Sequence, residues 1–229
     1  MTSFRYFGSR MCKPFNLLSN FSECEIKGEM FVMNSNGCIG QKEYVFPSSE
    51  HFWWAHFLLL DKDISRLAVG GDLSTLESGL QILLHSNISQ RKIKYWKKSC
   101  SVGVVAKILA FRDKTSNVRI IAKKLGMTMS IHPMECYGLK SRTYTIVSIW
   151  KKILIAKYSQ NIRHRMALLS TGEEHLVEFC KTNPEKQFWA GKVKDGSKTN
   201  TGIIKGGTLV GNNFMGKCLM ATRKEMKKL

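Results

Sequence analysis

The stretch "FPSSEHFWWAHFLL", Phe46 to Leu59, decides the fold, because two kinds of periodicity meet inside it. Upstream, residues 25–46 contain "EIKGEMFVMNSNG" and "KEYVF", short β-prone runs joined by Asn and Gly, which read as a hairpin. Pro47 closes the second run, and from Ser48 to about Leu60 the apolar spacing becomes helical. With Ser48 as N-cap, Glu50 enters the first turn, where a carboxylate interacts well with the helix dipole. Positions 50, 54 and 57 follow a helical repeat, so Glu50 shares a face with Trp54 and Phe57 and its carboxylate is expected to point toward apolar surroundings.

Outward from this junction, helical spacing recurs at 73–85, 91–112, 144–158, 160–170, 173–181 and from about Met215 to Lys228. Helix therefore predominates over strand. The expected fold is α+β and mostly helical, a compact single domain over 1–229 with a small antiparallel β element near the N-terminus. Residues 113–142, with "GMTMSIHPMECYG" inside them, read as an excursion from the core.

At 229 residues with 43% hydrophobic and 23% charged residues, the chain reads as a folded globular protein, not a disordered one. Its most apolar runs, 101–111 and 144–156, are cut by lysines short of the roughly 18 residues of a membrane span. No stretch has the build of a secretion signal, so an intracellular, cytoplasmic setting is expected. Seven scattered cysteines favour reduced thiols, and neither they nor the six histidines have metal-ligand spacing. No metal or other cofactor is expected.

Net charge is +19 and unevenly spread. Residues 1–80 hold 7 Lys/Arg and 9 Asp/Glu, leaving 29 and 8 for residues 81–229. A field of that sign favours anionic partners, nucleic acid or phosphorylated small molecules, although solubility alone is also served by it.

Four places could carry chemistry. A half-buried Glu50 would be balanced between desolvation, which raises a carboxyl pKa, and the helix dipole, which lowers it; this suits a general acid or charge stabiliser, and the plainer reading is a capping Glu. His51 reads as a structural or orienting imidazole. "GGTLVGNNFMGKC" at 206–218 is one residue away from a P-loop, but Cys218 stands where a hydroxyl is needed and no βαβ unit surrounds it. What remains is a glycine-rich turn whose backbone N–H groups could meet an anion or ribose, or a plain tight turn. "RKIKYWKKS" at 91–99 sets Trp96 among basic residues, which suits base stacking or, equally, a core-facing Tyr/Trp pair.

Five segments in order, "LLSNFSECEI" at 17–26, "FPSSEHFWWAHFLL" at 46–59, "LLSTGEEHLVEF" at 168–179, "FWAGKV" at 188–193 and "GGTLVGNNFMGKCLMATR" at 206–223, resemble the NADAR superfamily of YbiA-like N-glycosidases. The resemblance implies a helix-rich α+β domain that cleaves N-glycosidic bonds without a cofactor. The substrates it implies are ribosylamino-pyrimidine phosphates of early riboflavin synthesis, or ADP-ribosylated guanine in nucleic acid. The family's Ser-Asn-Phe matches Ser19, Asn20 and Phe21; its Ser-Glu-His matches Ser49, Glu50 and His51; its Gly-x-Asn-x-x-Gly matches Gly211, Asn213 and Gly216. By this resemblance Glu50 is catalytic, Ser19, Asn20, Phe21, Ser49, His51, Gly211 and Asn213 bind substrate, and Trp189 or Trp96 stacks on the base. The family's Trp-Gly is Trp189-Ala190 here, and the acidic residue that often precedes it is Glu185 or is missing. A non-catalytic nucleic-acid or ADP-ribose-binding module on the same fold is the alternative.

Overall fold

The computed structural model describes residues 2–8, 11, 14–20, 22–33, 36–56, 58, 60–65, 67–70, 142–180 and 183–229. Its contacts group into two units, one of residues 23–149 and one of residues 1–22 with 150–229. The helices expected at 73–85 and 91–112 and nearly all of the excursion at 113–142 lie outside the described residues.

The 23–149 unit contains the expected hairpin. Strands β2 (Ile26–Met33) and β3 (Ile39–Phe46) pair antiparallel from Ile26↔Phe46 to Met33↔Ile39. Helix α1 (Ser49–Ala55) follows at once and lays Phe52 on the hairpin. The Phe52 ring stacks on Phe46 with centroids 4.7 Å apart. A Cβ at Gly28 would come within 2.1 Å of that ring, so only glycine lets the helix approach so closely. The helix stops short of Leu60 because the His56 imidazole takes the Phe52 carbonyl at 2.7 Å, and the His56 N–H turns to Trp53 O instead. Helix α2 (Asp61–Ser65) is fixed to β3 through Asp61, which accepts from Lys42 at 2.8 Å and from the Tyr44 hydroxyl. Burial, and then that carboxylate, push the Tyr44 phenol above its ordinary pKa.

The other unit is built on a four-stranded sheet of order β4-β1-β7-β6. Strand β1 (Ser3–Phe7) lies parallel to β4 (His175–Glu178) and antiparallel to β7 (Ile203–Lys205), and β6 (Ser197–Lys198) pairs with β7. Strands β5 (Lys192–Lys194) and β8 (Thr208–Val210) form a separate pair. Phe4, Val177, Val193 and Ile204 make a buried cluster under Tyr6 and Leu209. Helices α3 (Arg142–Gln160), α4 (Ile162–Leu169) and α5 (Phe214–Met226) cover the expected helices at 144–158, 160–170 and 215–228, and the part of α3 from Trp150 onward belongs to this unit.

The helix expected over 173–181 is strand β4 instead. Gly172, at φ 55°, ends the turn after α4, and the Leu176–Val177 pair is buried on β1, a partner supplied by the far end of the chain. With eight strands among the described residues, the α+β expectation holds while its mostly helical weighting does so only in part. No helix among the described residues is long and apolar enough to cross a membrane.

Candidate active site

Glu50 occupies the first turn of α1 and is 8% exposed, so its carboxylate is held largely out of water beside the helix N-terminus. The N-cap at Ser48 is present: Ser48 O accepts from Phe52 N–H at 3.2 Å, and Ser48 Oγ accepts from His51 N–H at 3.4 Å. The same hydroxyl stands 2.8 Å from His51 Nδ1. Burial lowers the His51 pKa to about 4, so at neutral pH the ring is uncharged. With its proton on Nε2, Nδ1 accepts from Ser48. His51 is thus locked into the helix start. Ser49 is fully buried. Phe57 and the side chain of Trp54, expected on the face of Glu50, lie outside the described residues.

Ser19, Asn20, Trp189, Gly211 and Asn213 belong to the other unit. There the structure joins two motifs that the sequence left separate. Along the glycine-rich turn, Asn212 N–H donates to Gln187 O, Asn213 to Ala190 O, Phe214 to Phe188 O and Met215 to Trp189 O, at 3.1–3.2 Å. Backbone donors that might have met an anion are therefore used to hold the segment carrying Trp189, which favours the tight-turn reading of 206–218 over the anion-binding one. Gly211, at φ 95°, is needed because a Cβ would stand 2.5 Å from Pro184 O and 2.8 Å from Ala190 O. Asn213, only 1% exposed, donates through Nδ2 to Leu176 O at 2.8 Å and accepts through Oδ1 from Glu178 N–H at 3.1 Å. Its amide latches the start of α5 to strand β4.

Trp189 is fixed by rings as well as by backbone. It meets Phe188, Phe214 and Trp150 at centroid distances of 5.0, 5.3 and 6.1 Å, each edge to face, while Phe188 stacks on Phe214 at 4.8 Å. The indole plane is set before any ligand arrives. Glu185, the candidate acidic neighbour, pairs instead with Lys194 at 2.9 Å on the surface, which draws its carboxyl pKa down. Phe21 and Trp96 lie outside the described residues.

One residue of this unit escaped sequence reasoning. Lys157 is fully buried, and its ammonium donates to Leu17 O at 3.1 Å, Ser19 O at 2.8 Å and Ser22 Oγ at 2.8 Å. The signal was available: positions 150, 153, 154 and 158 form the apolar stripe of α3, and 157 lies inside it, where a lysine is out of place unless it has partners. The loop it holds carries Asn20, 6% exposed, whose Oδ1 is buried with no hydrogen-bond partner among the described residues.

A NADAR domain model matches residues 71–227. The chain belongs to the NADAR family. The matched residues include Trp96, Trp189, Gly211 and Asn213, and begin after the Ser19–Phe21 and Ser49–His51 segments. Among solved structures, the NMR structure of the E. coli protein YbiA is similar, with a TM-score of 0.50 at 19% identity over 100% of this chain and 88% of that one. At that identity the likeness concerns the NADAR fold. A comparison with curated proteins finds no match.

Proposed function

We propose that this NADAR protein is an N-glycosidase that hydrolyses the bond between ribose C1′ and a base nitrogen, in a phosphorylated N-riboside or in ADP-ribosylated guanine of nucleic acid. The observation that carries the reading is the buried carboxylate of Glu50 in the first turn of α1 of a NADAR chain. Breaking C1′–N sends the bonding pair to nitrogen and develops positive charge on the sugar ring. Water then adds its oxygen to C1′, one of its protons is lost, and the departing nitrogen gains one. Glu50 stabilises the oxocarbenium-like charge or accepts the proton of the attacking water, and it acts more strongly because it is shielded from solvent. Asn20 accepts a hydrogen bond from the sugar or the base. Trp189, its indole plane preset by three rings, offers a surface for the base. Exposed Lys192 and Lys205 supply positive charge for phosphate.

The test incubates the wild type and Glu50→Gln with ribosylamino-pyrimidine phosphate and with DNA carrying ADP-ribosylated guanine, and follows released base and ADP-ribose by chromatography. Release by the wild type should fall by roughly 10²–10³-fold in Glu50→Gln, the scale of losing one preorganised electrostatic group. Equal release by both proteins would remove Glu50 from the mechanism. No release from either substrate by the wild type would favour a binding module on the same fold.

A further inference from the structure

A buried ammonium is costly unless all three of its donors are met, and an apolar side chain at position 157 would remove a donor from two loop carbonyls and a hydroxyl at once. Lys157 meets this requirement with three acceptors of one turn of chain, Leu17 to Ser22. The turn is drawn around the cation: Ser22 Oγ accepts from Lys157 and stands 2.7 Å from Ser19 O and 3.0 Å from Leu17 O, within donating distance of both. Ser22 N–H closes the turn on Ser19 O at 3.1 Å. Asn20 sits inside it, and its buried Oδ1 has no hydrogen-bond partner among the described residues. Leaving such an acceptor unmet costs about 1–3 kcal/mol, which a free loop would recover by turning the side chain to water. A turn pinned by Lys157 cannot relax in that way.

We propose that Lys157 is a positioning residue that acts through Asn20: its ammonium fixes the Leu17–Ser22 turn so that the Asn20 carboxamide oxygen stands ready to accept a hydrogen bond from the ligand. This rests on the reading that Asn20 faces the riboside. It also specifies the ligand group, since a carboxamide oxygen attracts an O–H or N–H and repels a phosphate oxygen. Asn20 therefore recognises a sugar hydroxyl or a base N–H, and the phosphate is recognised elsewhere.

The experiment has a ligand-free arm and a ligand arm. In the first, the side-chain amide resonances of Asn20, assigned by their loss in Asn20→Ala, are followed in Lys157→Met and in the milder Ser22→Ala. Both variants should move the Asn20 pair toward unstructured shifts, Lys157→Met further, while the backbone amides of the β4-β1-β7-β6 sheet hold their positions. In the second, ADP-ribose is titrated calorimetrically. Affinity should fall roughly tenfold in Lys157→Met and in Asn20→Ala, with no further fall in the double variant, because the two side chains act as one. Unmoved Asn20 resonances in both variants, or losses of affinity that add in full, would overturn the proposal. If the wild type neither binds ADP-ribose nor cleaves a riboside, the functional reading fails and the resonances alone decide the positioning role. If Ser22→Ala shifts Asn20 while Lys157→Met does not fold, the turn still governs Asn20 and the proposal stands.

Discussion

At Gly216 a single methyl group would stand 2.1 Å from Leu176 O and 2.4 Å from the Asn213 amide nitrogen. Neither neighbour can retreat, since one is strand backbone and the other is the latch that ties α5 to β4. Gly216→Ala should therefore destabilise the protein by about 2–3 kcal/mol in urea unfolding, the cost of overpacking a rigid contact. Gly40→Ala, where an added Cβ meets nothing within 4 Å, should stay within about 0.5 kcal/mol of wild type. Two buried imidazoles give a second prediction. Burial lowers the pKa of His51 to about 4; His164 is lowered to about 4 by burial and then by the charges of Lys157 and Arg163. The unfolded rings titrate near 6.5, so on acidification the unfolded chain binds protons first. Stability from these groups is complete above about pH 6.5 and is lost as pH falls from 6.5 toward 4, by about 2 kcal/mol per ring at pH 5. Replacing His164, whose Nε2 has no hydrogen-bond partner among the described residues, by Leu should flatten the slope of unfolding free energy between pH 5 and 7.5. An unchanged slope would mean that His164 contributes nothing to it.

Between elements, the Asn213 amide bonds both a carbonyl and an N–H of β4, and four N–H groups around it hold Gln187 to Ala190. Asn213→Asp keeps the acceptor for Glu178 N–H but turns an oxygen toward Leu176 O. It should cost about 2–4 kcal/mol, since a buried carbonyl loses its donor and a carboxylate is desolvated. Amide exchange should quicken at Phe214 and Met215, whose N–H groups hold Phe188 and Trp189, and unaltered exchange there would separate the latch from the placement of Trp189. The same contrast of near and far partners explains what the sequence disclosed. The β2–β3 hairpin, the Ser48 cap and helices α3 to α5 were legible because their signals are local: an Asn/Gly turn, a proline, an apolar repeat. Strands β1 and β4 were hidden because each is made by the other: Arg5 pairs with Leu176, and its guanidinium reaches Glu174 at 2.6 Å across 169 residues. Glu50, Trp189 and Asn213 were legible as residue types in family order. That the amide of Asn213 is spent on β4, and that Lys157 shapes the turn around Asn20, depends on neighbours no spacing rule could supply.

For the molecule as a whole, the proposed function leaves two substrate sizes to be separated, and the +19 net charge lets electrostatics do it. A small riboside phosphate presents one or two anionic groups, so its binding should weaken only gently with salt. A nucleic acid engages many lysines and releases a condensed counterion for nearly every phosphate it neutralises, so log K falls with log salt at about 0.9 per contact for duplex DNA. The 29 Lys/Arg against 8 Asp/Glu of residues 81–229 provide ample charge for several contacts. Titrating an unmodified DNA duplex at 50 and 200 mM salt should give a slope of about −3 or steeper if nucleic acid is the physiological ligand. A slope near −1, together with release from ribosylamino-pyrimidine phosphate, would assign the positive field to holding a single phosphate group. The base-releasing chemistry proposed for Glu50 is the same in both cases, so the salt slope tests what the charge is for without depending on which bond is cut.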